Sequence, residues 1–340
     1  MKIGNLEVRI PVIQGGMGVG VSLSGLAGAV AAAGGVGVIS TAQIGFRDPE
    51  FDRDPIACNL RAVRQEIAKA KELAKGGVIG VNIMVVTQRY EDYVKAAVEA
   101  GVDLIISGAG LPMDLPGFVK GSNTKIAPIV SGKRALKVIL NYWKKHFNRK
   151  PDLVILEGPK AGGHLGFKEE ELEKLTEETY DGEVRQVIEL AQSEAIPVAV
   201  AGGIYARPDM DRYLKMGASG VQMATRFVTT YECDAHPNYK QAYMDAKESD
   251  ICIVHSPVGM PGRAIRNEFL DRVEQGERFM TGCRRCIITC DPATSPYCIT
   301  RALINAVEGN CREGLLFCGS NAYRADKLEN VADIMEEFKL

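Results

Sequence analysis

The sequence predicts an α/β fold, a (β/α)8 TIM barrel with a C-terminal helical, cysteine-rich extension. Three observations predict it. Short apolar runs rich in Val and Ile alternate with longer segments of helical period, the pattern of parallel βα units. Eight such runs can be counted, and eight strands with intervening helices fit a closed barrel better than an open sheet. Glycine and polar residues collect at the C-terminal ends of the runs, where a barrel's strands enter the loops that carry its chemistry.

In chain order the runs are Pro11–Gly15, Gly35–Thr41, Val78–Met84, Leu104–Gly110, Lys125–Ser131, Leu153–Gly158, Pro197–Ile204 and Gly220–Phe227. They are nearly continuously apolar, as strands covered on both faces require. Helix candidates lie between them at Leu23–Ala33, Leu60–Ala74, Tyr90–Ala100, Lys133–His146, Glu183–Glu194 and Asp209–Met216, several ending at glycine. After Phe227 the character changes to charged helical stretches, a cysteine-rich segment from Gly282 to Cys298, and an amphipathic end from Lys327 to Leu340. The expected division is therefore a barrel over 1–232 and an extension over 233–340, packed on the barrel.

The 340 residues are 46% hydrophobic and 25% charged, ordinary for one large globular domain and unlike a disordered chain. A formal net charge of −2 removes the electrostatic grounds for binding nucleic acid or an anionic membrane, and favours a small-molecule substrate. The N-terminal MKIGNLEVRI lacks the pattern of an export signal, and no run reaches the roughly 18 apolar residues of a membrane span. A cytoplasmic protein is expected, with a homodimer as the candidate assembly. Nine cysteines is an odd number for a disulfide framework, which leaves free thiols, a metal or a cluster.

The loops after strands seven and eight are where such barrels often hold phosphate. AGGI (Ala201–Ile204) and QMATR (Gln222–Arg226) occupy those places. Gly202 and Gly203 let backbone N–H groups approach phosphate oxygens, while Thr225 offers a hydroxyl and Arg226 a charge. The first loop, Gln14-Gly15-Gly16-Met17-Gly18, has neither dinucleotide-fold nor P-loop spacing, and suits a flat aromatic ligand lying on bare backbone. Asn82 and Lys125 are expected to serve the polar edge of such a ring. Loop six, EGPKAGGHLG (Glu157–Gly166), presents His164 between glycines in a chain with only four histidines, a natural general base near neutral pH.

The set QGGMG, EGPKAGGHLG, VAVAGGI, GVQMATRF and the downstream AHPNYK resembles the nitronate monooxygenase (2-nitropropane dioxygenase) family of FMN-dependent TIM barrels. That family is similar also to the FMN-dependent enoyl-acyl carrier protein reductase II. The resemblance runs from Ile10 to Tyr239, more weakly through Ser256–Asn267 and the C-terminal helix. It implies FMN, with Gly15, Gly16, Met17, Gly18, Asn82 and Lys125 along the isoalloxazine ring. Gly162, Gly163, Gly202, Gly203, Gln222, Met223, Ala224 and Thr225 would cradle ribityl and phosphate, with Glu157 in the same binding set. His164 would be catalytic. Ala224 stands where the family usually has glycine.

The extension departs from that family. Cys283, Cys286, Cys290 and Cys298 are spaced C-x2-C-x3-C-x7-C, the thiolate run of a [4Fe–4S] cluster, with zinc and free thiols as competing readings. Four functions are consistent with these features. An FMN oxidoreductase would act on a nitronate, or on an enone or quinone with NAD(P)H. An enoyl-thioester reductase would use Arg263 and Arg266 for a phosphate. A flavin and iron–sulfur electron-carrying or sensor module would not need His164. A phosphosugar isomerase would need no flavin.

Overall fold

The computed structural model describes residues 1–280 and 282–340. Eight parallel strands close on themselves: β1 (Val12–Gln14), β2 (Val36–Ser40), β3 (Val78–Met84), β4 (Leu104–Gly108), β5 (Lys125–Val130), β6 (Val154–Glu157), β7 (Val198–Ala201) and β8 (Gly220–Met223). The ring closes where β8 returns to β1, with Val221 opposite Val12, Gln222 opposite Ile13 and Met223 opposite Gln14. Every apolar run read from the sequence supplies one of these strands.

Successive strand residues point to opposite faces. Val36 and Val38, with Leu104 and Ile106, therefore fill the barrel interior beside Ile13, Ile155 and Ala199. Ile79, Val81, Ile83 and Ile105 face the outer helices instead. This double burial is why no polar alternation marks the runs. The bottom of the barrel is plugged by a short antiparallel hairpin, Lys2–Ile3 with Leu6–Glu7, whose Ile3 packs among the interior residues. Gly37 lets the helix Ser24–Ala33 seat on β2, since a Cβ there would lie 1.7 Å from the Ala27 carbonyl oxygen.

The six helix candidates form, and two of them start at a side-chain cap rather than where the apolar period begins. Helix Pro55–Leu73 begins earlier than its hydrophobic pattern suggests, because Asp54 accepts the Ala57 N–H at 3.0 Å and proline occupies the first turn. Helix Glu177–Ser193 likewise begins at a Thr176 cap, which accepts the Thr179 N–H at 3.2 Å. Among the described residues no helix is long and apolar enough to cross a membrane.

The extension is not purely helical, which corrects the expectation. Helices Pro237–Asp245, Glu268–Glu274, Ile299–Val307 and Val331–Glu337 are joined by an antiparallel hairpin, Ile251–His255 with Pro261–Ile265. The hairpin's second strand pairs with Gly163–His164 of loop six, placing Gly262 opposite His164 and Arg263 opposite Gly163. The turn residues of SPVGMPG after the β-branched stretch ICIV make this hairpin physically reasonable.

Arg226 fastens the C-terminal helix to the barrel. Its guanidinium donates to Glu329 at 2.9 and 3.1 Å and to Glu337 at 2.6 and 2.7 Å, and also reaches the Tyr205 carbonyl at 3.2 Å. Ile334, Met335 and Phe338 then pack on Leu26 and Val30 of the first helix. Removing one partner of a buried ion cluster leaves the others uncompensated. Arg226→Met is expected to cost about 2–3 kcal/mol in urea unfolding, below the usual cost for a fully buried pair because Glu337 is half exposed. Adding Glu329→Gln and Glu337→Gln to that variant should recover most of the loss.

Candidate active site

At the C-terminal ends of the strands the loops enclose a cleft. Its construction starts at Gln14, the last residue of β1. This buried amide donates to the Val38 carbonyl at 3.1 Å and accepts the Val38 N–H at 3.0 Å, locking β1 to β2 at the point where loop one departs. Gly15 donates to the Met223 carbonyl at 2.9 Å, which ties the same loop to β8. Asn82 is held from behind, since the N–H and hydroxyl of Thr41 both reach its carbonyl. Gly16 lies against Asn82 so closely that a Cβ would come within 2.5 Å of the asparagine Cβ. Bare backbone and an amide therefore form one wall.

The opposite wall comes from loops six, seven and eight. Glu157, Gly162, Gly163 and His164 line it from loop six, Gly202 and Gly203 from loop seven, and Gln222 to Thr225 from loop eight. Gly202 and Gly203 have φ of 99° and 79°, left-handed values that glycine adopts without strain. The structure thus gathers the expected glycine, amide and histidine residues around one cleft, Met17 and Gly18 included.

His164 Nε2 lies 2.7 Å from the Ser256 hydroxyl, which also accepts the Val258 N–H at 3.3 Å. Phe317 meets the imidazole edge-on at 5.0 Å. Burial pushes the His164 pKa down to about 4, so the ring is neutral at physiological pH. Glu157 ends β6 opposite Ala201, and burial pushes its carboxyl up to about 7.

Four expected roles are corrected. Lys125 opens β5 rather than ending it, so it lies at the bottom of the barrel, beside Gly4 and away from the cleft. Arg226 turns from the loop-eight phosphate position into its cluster with Glu329 and Glu337. Arg263 donates to the Ala161 carbonyl and Arg266 pairs with Asp271 and Glu274, so neither is spare for a phosphate. The four-thiolate set is not assembled: among the described residues no three Cys, His, Asp or Glu side chains are grouped to hold a metal. Cys286 instead accepts from the Thr300 hydroxyl at 3.1 Å, Cys290 lies 3.5 Å from the Ser295 hydroxyl, and Cys283 is exposed.

Sequence reasoning missed the part of the lining that the extension supplies. Tyr239, Tyr243, Leu303 and Phe317 form an apolar wall, and Gly319 to Asn321 close over loops seven and eight. Gly319 donates to the Thr225 hydroxyl at 3.0 Å and Asn321 Nδ2 to the Gly203 carbonyl at 2.7 Å. Tyr239 falls in the AHPNYK stretch, but no local signal marks the others; only tertiary packing brings them to the cleft.

Residues 1–339 match the family model described as nitronate monooxygenase. A probable nitronate monooxygenase from Staphylococcus saprophyticus is 28% identical, over 80% of this chain and 80% of its own. A (3aS,4S,5R,7aS)-5-hydroxy-7a-methyl-1-oxo-octahydro-1H-indene-4-carboxyl-CoA dehydrogenase from Mycobacterium tuberculosis is 27% identical, over 80% of this chain and 68% of its own. FabK from Thermotoga maritima superposes with a TM-score of 0.76 at 27% identity, covering 97% of this chain and 92% of its own. A nitroalkane oxidase from Streptomyces ansochromogenes superposes with a TM-score of 0.75 at 20% identity, over 97% of this chain and 95% of its own, a likeness of fold alone.

The depressed His164 pKa has a sign for stability. The folded protein favours neutral imidazole, so this contribution is present above the unfolded value of about 6.5 and is lost as pH falls towards 4. Thermal unfolding of wild type should therefore fall more steeply between pH 6.5 and 4 than that of His164→Gln. Parallel curves would show that the imidazole is not kept neutral.

Proposed function

The chain belongs to the nitronate monooxygenase family of oxidoreductase enzymes, and within it we propose an FMN-dependent oxidoreductase that acts on a small activated substrate such as a nitronate, with His164 as the acid–base group that takes the α-proton when the substrate enters as the parent nitroalkane. The observation that carries this reading is a neutral, buried histidine in the wall of a cleft whose other walls are bare glycine backbone and apolar side chains.

The donor set fits FMN. Gly15, Gly16 and Gly18 beside Asn82 suit a flat ring with polar edges, and Gly202, Gly203 and Thr225 suit a single phosphate. One phosphate end supports FMN rather than FAD. When bound, FMN supplies the electron-accepting chemistry. The residues of this chain do the rest. With Nε2–H donating to Ser256, the Nδ1 lone pair of His164 is the base, and Phe317 fixes the plane of the ring. Tyr239, Tyr243, Leu303 and Phe317 exclude water and accept the carbon skeleton of a small substrate.

A second reading, reduction of an enone, quinone or enoyl thioester by NAD(P)H, is supported by the sequence resemblance to enoyl-acyl carrier protein reductases and by the likeness to FabK. Turnover of a nitroalkane with oxygen, compared with oxidation of NAD(P)H in the presence of an enoyl thioester, separates the two.

Denatured protein is expected to release FMN, identified by mass; FAD, or no flavin after reconstitution, would overturn the reading. His164→Ala should retain flavin and lose roughly two to four orders of magnitude in kcat, the usual worth of a positioned acid–base group. Near wild-type kcat in that variant would remove His164 from the chemistry.

A further inference from the structure

Glu157 carries the only carboxyl group among the described residues lining the cleft. Among the described residues nothing answers its charge. Lys160, three residues on, pairs with Glu177 at 2.5 Å on the outer side. From the helix Glu177–Ser193 the titratable group facing it is the Tyr180 phenol, itself buried and without a hydrogen-bond partner. Loop six brings the neutral His164; β3 and β8 bring the amides of Asn82 and Gln222; β5 and β7 bring Ile129 and Ala201, which do not ionise.

Among the described residues no cation pairs with a carboxylate placed here and no donor hydrogen-bonds to it, so burial opposes the charge. A neutral carboxyl group keeps one O–H donor, and a donor is what the oxygens of a flavin's ribityl chain and carbonyls can use. On the reading that the cleft holds FMN, we propose that Glu157 binds the flavin as a carboxylic acid, donating its proton in a hydrogen bond, so that flavin binding is coupled to proton uptake. Burial alone brings the carboxyl to about 7 before any ligand enters. A bound flavin removes the remaining water and adds a phosphate anion, and both raise it further.

The coupling has a definite sign. Below the free-protein value the acid form is already present and binding needs no proton. Above it each unit of pH removes up to tenfold of the competent form, so affinity falls as pH rises. FMN dissociation constants should be measured by flavin-fluorescence quenching at pH 6.5 and 8.5, for wild type and Glu157→Gln. Calorimetry in buffers of different ionisation enthalpy then counts the protons. The wild-type Kd is expected to rise roughly 10- to 30-fold across that range, with close to one proton taken up per FMN at pH 8. Glu157→Gln donates through its amide without titrating, so its Kd should change less than about threefold beyond what the shared phosphate ionisation contributes, with no uptake. A flat wild-type Kd, an equally steep Gln variant, or wild-type binding without proton uptake overturns the proposal; the last measurement needs no variant. Failure of wild type to bind FMN at any pH overturns the flavin reading itself.

Discussion

Closing a parallel sheet on itself is the constraint on which the rest of this molecule depends. Once β8 pairs with β1, no edge remains, and all eight strands deliver their C-terminal residues to one end of the barrel. Gln14, Asn82, Glu157, Ala201 and Gln222 are far apart in the chain and adjacent in space only for that reason. The buried Gln14 amide shows how tightly the arrangement is held, because its bonds to Val38 are ladder bonds supplied by a side chain.

The barrel and most of its mouth were legible because they depend on local pattern. Val- and Ile-rich runs mark strands covered on both faces, and glycines at their ends mark loops that approach a ligand. What could not be read depends on distant partners. Arg226 sits beside a phosphate loop in sequence, yet Glu329 and Glu337, about a hundred residues later, take its charge. The cysteine spacing describes a ligand run, but the surroundings of Cys286 and Cys290 come from Thr300, Ser295 and the apolar cluster around Tyr297. Lys125 is a different case: its strand was found, and only the strand's direction, which puts its first residue at the barrel floor, was misapplied.

The electrostatics of the cleft follow from the same economy of charge. Among the described lining residues Lys160 is the lone cation, and Glu177 holds it at the outside. A phosphate there would be met by backbone N–H groups and hydroxyls, which suits a cofactor held by shape and many weak donors. His164 and Glu157 are shifted by burial alone, in opposite directions, and both shifts favour the uncharged form. Below about pH 7 the wall is thus neutral where a substrate would lie.

The strand Gly163–His164 is anchored to Pro261–Ile265, so the side chain proposed as the base takes its orientation from outside the barrel. The scaffold and its reactivity can therefore diverge separately. Substitutions in the hairpin, or in Ser256 at its turn, would re-aim the imidazole without disturbing a single barrel ladder, whereas changes within the eight strands would be felt first as lost folding. For an ancestral chain of this architecture, the appendage is the place where new chemistry is cheapest to explore. A designer wishing to redirect the enzyme would randomise the hairpin and leave the barrel alone.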